Sequence, residues 1–408
     1  MKIVERLRAA GHEALWAGGC VRDELLNRRP KDYDVATSAV PEQIQTLFGP
    51  KRSLMIGAAF GVVAVVGSAG EGMVEVTTFR RDATYSDGRH PDGVSFSTAE
   101  VDAQRRDFTI NGLFFDPIDR RVIDYVGGVD DLRAGVVRAI GDAHQRLTED
   151  KLRMLRAVRM AATFQFALEP ATLAAIQRMA FEIWVVSPER IAQELRLLFE
   201  LPTVVRGLEL LETSGLLRAI FSELSTTPPH RLEHGVEIVA ALPRRSFALV
   251  LAVLLSQCGT GESCDPPARL ADVCRRLKLS NRESDHARWL VAHEQALVGA
   301  CQQPWSRLQP LLIEPHAADL VDLHAARAEV DGQSSDDFEF CRSKLALEPD
   351  VLNPPPLLSG NDLAAHGIAA GKRVGELLRG LRAAQLDGYV ATRSEALAWV
   401  DRQSLERR

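Results

Sequence analysis

The sequence predicts an α+β N-terminal portion built on a small mixed or antiparallel sheet, followed by an all-α remainder. Two observations carry that prediction. Short apolar runs at 14–17, 60–66 and 73–80, the last two rich in β-branched residues, are punctuated by glycine turns early in the chain. From about Ser187 onward, apolar residues recur at helical spacing throughout, as in ERIAQELRLLFE, RGLELLETSGLLRAI, RSFALVLAVLLSQ and ADVCRRLKL. At 408 residues the chain exceeds one ordinary domain, and 46% apolar with 25% charged residues describes a soluble protein able to bury a large core.

Taken in order, residues 3–10 form a short amphipathic helix, and Ala14 to Ala17 lead into Gly18 and Gly19, which allow a tight turn and close approach of a ligand. Residues 20–28 follow as a helix with Leu25 and Leu26 facing inward. Lys31 to Val35 reads as a strand, on which Asp32 and Asp34 share a face. A helix over 38–48 carries Pro41 near its start, where a missing N–H is tolerated. The strands 60–66 and 73–80 pair across a glycine-rich turn, and Glu75 lies on the second. Residues 81–97 form a long polar loop, Thr98 to Gln104 a helix, and 122–124 and 136–140 short strands joined by a turn at Gly127 and Gly128. One helix is expected from Glu149 to about Phe164, capped by Thr148. The best internal linkers are 259–267 and 353–356, by glycine and proline content.

Composition narrows the function. No apolar run reaches membrane-spanning length and the N-terminus lacks a signal-peptide pattern, so a cytoplasmic location is expected, with no membrane partner and no obligate protein partner evident. Six cysteines, at 20, 258, 264, 274, 301 and 341, form no CxxC pair, which argues for buried thiols rather than a zinc module or disulfide framework. A net charge of −6 argues against a generic nucleic-acid coat. It leaves room for a local basic patch at Lys151, Arg153, Arg156 and Arg159.

Two carboxylates as close as Asp32 and Asp34 repel unless a cation lies between them, and Mg²⁺ takes one or two carboxylates plus substrate phosphates. Glu75 is a candidate third acid. Asp-x-Asp alone also fits an exposed strand with two solvated side chains. Its occurrence within twenty residues of a glycine turn and a helix start points to a nucleoside triphosphate site. Asp150 and Arg153, at i and i+3, would share a helix face. Together they present an acceptor beside a donor, which complements cytosine or adenine and rejects uracil and guanine; the plain alternative is a helix-start ion pair.

The stretch GGCVRDELLNRRPKDYDVAT resembles the signature of the class II nucleotidyltransferases, the bacterial family of CCA-adding enzymes and poly(A) polymerases. VEVTTFR, DGRHPDGVSF, RRDFTINGLFFDP, IDYVGGVDDL, VVRAIGDA and EDKLRMLRAVRMAA follow in family order, so the resemblance covers roughly the first half of the chain. It implies a nucleotidyltransferase head at 1–140, a helical neck with a nucleotide-selecting template at 141–205, a helical body at 206–352 and an RNA-binding helical tail at 353–408. Asp32 and Asp34 then hold two Mg²⁺ ions, Gly19, Arg22, Arg106, Arg156 and Arg159 contact the nucleotide, and Glu149, Asp150 and Arg153 select CTP and ATP. The loop at 81–97 would assist the switch from C to A addition. Lys151 stands where many relatives carry Pro or Ala, and is expected to favour helix continuation.

IGAAFGVVAVV replaces the basic run that marks the family's poly(A) polymerases, which favours the tRNA 3′ end as acceptor. Poly(A) synthesis, CC-only or A-only addition, and a non-catalytic RNA-binding protein of the same fold are the alternatives. Where some relatives carry a metal-binding His-Asp pair, this chain has Ser256 and Gln257. No metal-dependent phosphohydrolase activity is therefore expected, and His230 and His234 read as packing or surface residues.

Overall fold

The computed structural model describes residues 1–57, 60–67, 72–83, 93–258 and 265–405, in two compact units. The first spans residues 1–225 with 276–278; the second holds 226–275 and 279–408.

In the first unit, α1 (Lys2–Ala9), β1 (Ala14–Ala17), α2 (Gly19–Leu25), β2 (Val35–Thr37) and α3 (Pro41–Phe48) lead into β3 (Ser53–Gly57), β4 (Val62–Val66) and β5 (Met73–Thr78). A ribbon of β6 (Arg80–Asp82) and β7 (Val94–Phe96), then α4 (Ala99–Gln104), β8 (Phe114–Asp116) and β9 (Arg121–Ile123), complete the sheet-bearing part. The main sheet runs β3-β4-β5-β2-β1-β8-β9, antiparallel except for the parallel pair β2 and β5. Its mixed character follows from the sequence expectation, and its two-residue alternation builds two cores. Ala14, Val35, Val63 and Val76 pack beneath α1 and α3 with Val4, Leu7 and Ile44. Leu15, Ala17 and Ala36 pack on the other face with Phe79, Ala99, Ala103 and Phe114.

Helices finish the unit: α5 (Gly128–Ala134), α6 (Ala143–Glu149), α7 (Arg153–Phe164), α8 (Pro170–Met179), α9 (Pro188–Phe199), α10 (Val204–Thr213) and α11 (Leu216–Ile220). Between them, β10 (Val136–Val137) and β11 (Ala167–Leu168) pair in parallel. The second unit is entirely helical among the described residues, from α12 (Pro229–Ala241) and α13 (Phe247–Ser256) through α14 (Pro266–Arg276, whose last residue belongs to the first unit) to α15 (Asn281–Ala292) and α16 (Trp305–Leu312). Six further helices follow: α17 (Ala317–Val330), α18 (Asp336–Leu345), α19 (Pro349–Leu352), α20 (Gly360–Ala365), α21 (Lys372–Leu386) and α22 (Arg393–Leu405). Residues 353–356 are a non-helical connection, as expected, whereas 259–264 of the other expected linker lie outside the described residues.

Several local expectations are corrected. The strand read at 31–35 forms at Val35–Thr37 instead, so Asp32 and Asp34 sit in the segment entering it. Leu25 is exposed, because the small core under α2, Leu113 with Trp16 and Phe115, reaches only Cys20 and Val21 in its first turn. The ends of the expected loop 81–97 pair as β6 and β7, while 84–92 lie outside the described residues. Gly127 is the left-handed residue that starts α5, an additional helix where only a turn was expected. Cys20, Cys258, Cys274 and Cys341 are buried free thiols, and Cys301 is exposed.

The largest correction concerns 149–164. α6 ends at Glu149, Asp150 is extended at φ −148°, ψ 107°, and α7 begins at Arg153. Thr148 caps nothing; its hydroxyl donates to the His144 carbonyl within α6. Lys151 does not continue a helix, but is buried in the break with its ammonium 2.7 Å from Glu182.

Candidate nucleotide-binding site

A cavity of about 460 Å³ in the first unit gathers most of the expected site residues. Gly18, Gly19, Arg22, Asp34, Glu75, Arg106, Asp150, Arg153 and Arg156 all line it. Glu149 and Arg159 lie outside that lining, as does Asp32, which still acts electrostatically on Asp34. Arg105, Asp107, Asn111 and Arg190 also line it, although the sequence reading did not single them out.

The acidic end is set by the parallel register of β2 and β5. Val35 pairs with Val76, so the preceding residues, Asp34 and Glu75, meet at the same level of the sheet. Desolvation, then the neighbouring charges of Asp32 and Glu75, push the Asp34 carboxyl up to about 6, against the opposing pull of Arg106. This is a site with surplus negative charge and only oxygen donors. Carboxylate oxygens suit a hard divalent cation, and Asp34 and Asp32 could supply them, but among the described residues no three acidic side chains gather closely enough to hold one. Tyr33, between the two aspartates, packs its ring against Trp16 with centroids 4.6 Å apart and planes tilted by 58°, and donates its hydroxyl to Glu24, which anchors the segment.

Arg106 is held over the glycine turn. Its Nε and Nη2 donate to Asp102 at 3.1 and 3.0 Å, Nη1 donates to the Asn111 carbonyl, and its guanidinium lies over the Phe114 ring. Asp102 is buried and also accepts from Arg105. Burial alone would push its carboxyl up, but the two guanidiniums hold it below the usual carboxylate range. Gly18 has φ +74°, and a Cβ there would stand 2.8 Å from Arg106 Nη1. Gly18→Ala is therefore expected to cost about 1–2 kcal/mol and to displace Arg106. Thermal unfolding together with CTP titration checks both effects, and unchanged affinity would mean that Arg106 does not meet the triphosphate.

Behind the arginines lies a buried polar network. Asp107 accepts from Arg156 Nη2 at 2.7 Å and from Asn111 Nδ2 at 3.0 Å, and Asn111 Oδ1 in turn accepts from Arg22 at 2.6 Å. Burial would raise the Asp107 carboxyl, yet Arg156 and the hydrogen bonds hold it far below its ordinary value. Arg22 also lies over the Phe164 ring, 4.5 Å from its centre.

At the α6–α7 break, Asp150 accepts from the Leu152 N–H and from Arg190, while Arg153 donates to the Arg146 carbonyl and pairs with Glu149. The i, i+3 helical pairing of Asp150 with Arg153 is thus replaced by two different partners. The local basic patch expected at Lys151, Arg153, Arg156 and Arg159 is likewise corrected, because each of the four is paired with a carboxylate. Arg153 pairs with its neighbour Glu149 four residues back, whereas Lys151 pairs with Glu182, Arg156 with Asp107, and Arg159 with Glu194 at 2.6 Å, three partners too distant in sequence for local spacing to show. In the second unit, His230 is exposed and His234 lies between Asp331, at 2.8 Å, and Gln257.

Residues 14–138 match the family model "Poly A polymerase head domain", and residues 165–227 match "Probable RNA and SrmB- binding site of polymerase A". The chain is 32% identical to the CCA-adding enzyme of Lactobacillus johnsonii, over 97% of this chain and 95% of that one. It is 37% identical to poly(A) polymerase I of Haemophilus influenzae over 55% of this chain and 51% of that one. Its structure is similar to that of the Bacillus stearothermophilus CCA-adding enzyme in complex with CTP, with a TM-score of 0.77, 29% identity, and 100% and 97% of the two chains covered. The Thermotoga maritima CCA-adding enzyme complexed with tRNA shares the fold at a TM-score of 0.70 and 22% identity, over 99% and 94% of the two chains.

Proposed function

This chain belongs to the bacterial family of CCA-adding enzymes and poly(A) polymerases, and on that premise we propose that it adds CCA to the 3′ end of tRNA from CTP and ATP. The observation that carries the reading is one cavity holding the acidic end, Asp34 with Glu75, together with Asp150, Arg153 and the phosphate-seeking Arg22 and Arg106. Some CCA-adding enzymes match over about half of the chain, as the poly(A) polymerases do, but the relatives that match over 97% of it, such as those of Lactobacillus johnsonii and Enterococcus faecalis, are CCA-adding enzymes. This difference supports the tRNA acceptor.

Asp32 and Asp34 would hold two Mg²⁺ ions, with Glu75 beside them. Bound there, the ions would supply a lowered pKa for the RNA 3′ hydroxyl and charge neutralisation at the leaving pyrophosphate. The protein's own groups position the reactants. Arg106, braced by Asp102, presents its guanidinium to the triphosphate, and Arg22, braced by Asn111, adds a second cation. Asp150 accepts the exocyclic amino group of cytosine or adenine, and Arg153 donates to the adjacent ring acceptor. Uracil and guanine would set acceptor against carboxylate, leaving buried polar groups unpaired. The 3′ hydroxyl then attacks the α-phosphate in line, with positioning supplying most of the rate. Arg156, which lines the cavity, would contact the nucleotide, whereas Arg159, held by Glu194, lies outside that lining; the proposed division is a head at 1–140, neck at 141–205, body at 206–352 and a tail at 353–408 that grips RNA in the cytoplasm.

The test is extension of tRNA transcripts ending before CCA and after CC, with CTP, ATP or both, in Mg²⁺. Addition that stops after CCA is expected. Long A tails would move the chain to the polymerase branch, CC-only or A-only products would make it a partial enzyme, and RNA binding without extension would make it non-catalytic.

A further inference from the structure

Arg190 lies in the first turn of α9, forty residues beyond Asp150, and both side chains line the nucleotide cavity. Its guanidinium grips the Asp150 carboxylate by two edges: Nη2 donates to Oδ2 at 2.7 Å and Nη1 to Oδ1 at 3.3 Å. Oδ1 also accepts the Leu152 N–H at 3.0 Å. A carboxylate offers about four acceptor positions. Three are filled, and the one left is on Oδ2.

From this geometry we infer that Arg190 is the positioning residue for base selection, fixing the plane of the Asp150 carboxylate so that a single lone pair meets the incoming base. The inference rests on the proposed role of Asp150. The terminal torsion of an aspartate is broad, so an unbraced carboxylate turns easily about its Cβ–Cγ bond. Asp150 stands in an extended break between two helices, where the Leu152 N–H holds one carboxylate oxygen and Arg190 engages both. Against the exocyclic oxygen of uracil, a fixed carboxylate can only repel. A rotating one turns away, and the discrimination is lost. A guanidinium suits this task because its paired donors fix an orientation, whereas an ammonium supplies charge without direction.

The test measures kcat/KM for CTP and UTP in single-nucleotide addition to tRNA, for Arg190→Gln, Arg190→Lys and Asp150→Asn, with folding monitored by circular dichroism. The CTP to UTP ratio is expected to fall at least ~10-fold in Arg190→Gln. Arg190→Lys should regain activity with CTP while its ratio stays depressed. A purely structural brace would lower both nucleotides in proportion, so an unchanged ratio in both Arg190 variants overturns the inference. If Arg190→Gln does not fold, the ratio in Arg190→Lys decides. A ratio unchanged in Asp150→Asn would instead overturn the role of Asp150 itself, whereas a change there with none in the Arg190 variants removes only the inference.

Discussion

Asp34→Asn is expected to reduce nucleotide addition by at least roughly 10³-fold while raising the melting temperature of the metal-free protein at neutral pH. The two effects share one cause. Desolvation and the charges of Asp32 and Glu75 raise the Asp34 carboxyl from 3.8 to about 6, so its ionised form is disfavoured in the folded chain. The sign follows from linkage: the stability contributed by the bound proton is fully present below 3.8 and is lost as pH rises through about 6. The neutral amide removes that loss. Its advantage should therefore be visible at pH 7 to 8 and vanish toward pH 4. Mg²⁺ should raise the melting temperature of the unaltered chain, because a ligand that binds only the folded state stabilises it. It should leave that of the variant nearly unmoved. Scanning calorimetry across pH with and without Mg²⁺ reads all three, and equal Mg²⁺ shifts in both proteins would remove Asp34 from the metal site.

The second large effect is on stability. Asp107→Ala should destabilise the first unit by about 3 kcal/mol, because it leaves Arg156 and the Asn111 amide without their buried partner. For a unit of this size that is roughly 6–12 °C in melting temperature. Asp107 is held below its ordinary 3.8, so its contribution is present above that value and is lost only as pH falls further. The deficit of the variant should accordingly persist from pH 8 to pH 5. Removing Arg156 as well should restore part of it, since its guanidinium, then left with only the longer 3.9 Å contact to Glu194, is gone. A melting temperature unchanged in Asp107→Ala would show that water replaces the network at no cost.

What the sequence determined by itself was whatever local periodicity and short spacing encode. Alternating and β-branched runs located β1, β4 and β5, glycine located the turn at Gly18, and helical spacing located α9 and α13. Two-residue spacing singled out Asp32 and Asp34, and the resemblance to the nucleotidyltransferase signature singled out Arg106. Three-residue steps also singled out Asp150 and Arg153, although the geometry inferred for that pair was a continuous helix that the chain does not form.

Only the tertiary structure decided how those groups are held. Glu75 joins Asp34 through the register of two strands that are not consecutive in the chain. Asp150 is turned toward Arg190, and Arg156 toward Asp107, across separations of forty and forty-nine residues. An extended segment bearing a carboxylate is stable at the α6–α7 break because Lys151 finds Glu182 and Asp150 finds both a backbone N–H and a guanidinium. Side-chain type and interval record which groups a local element can carry. The ion pairs that orient them depend on packing between elements, and that information resides in no single stretch of the chain.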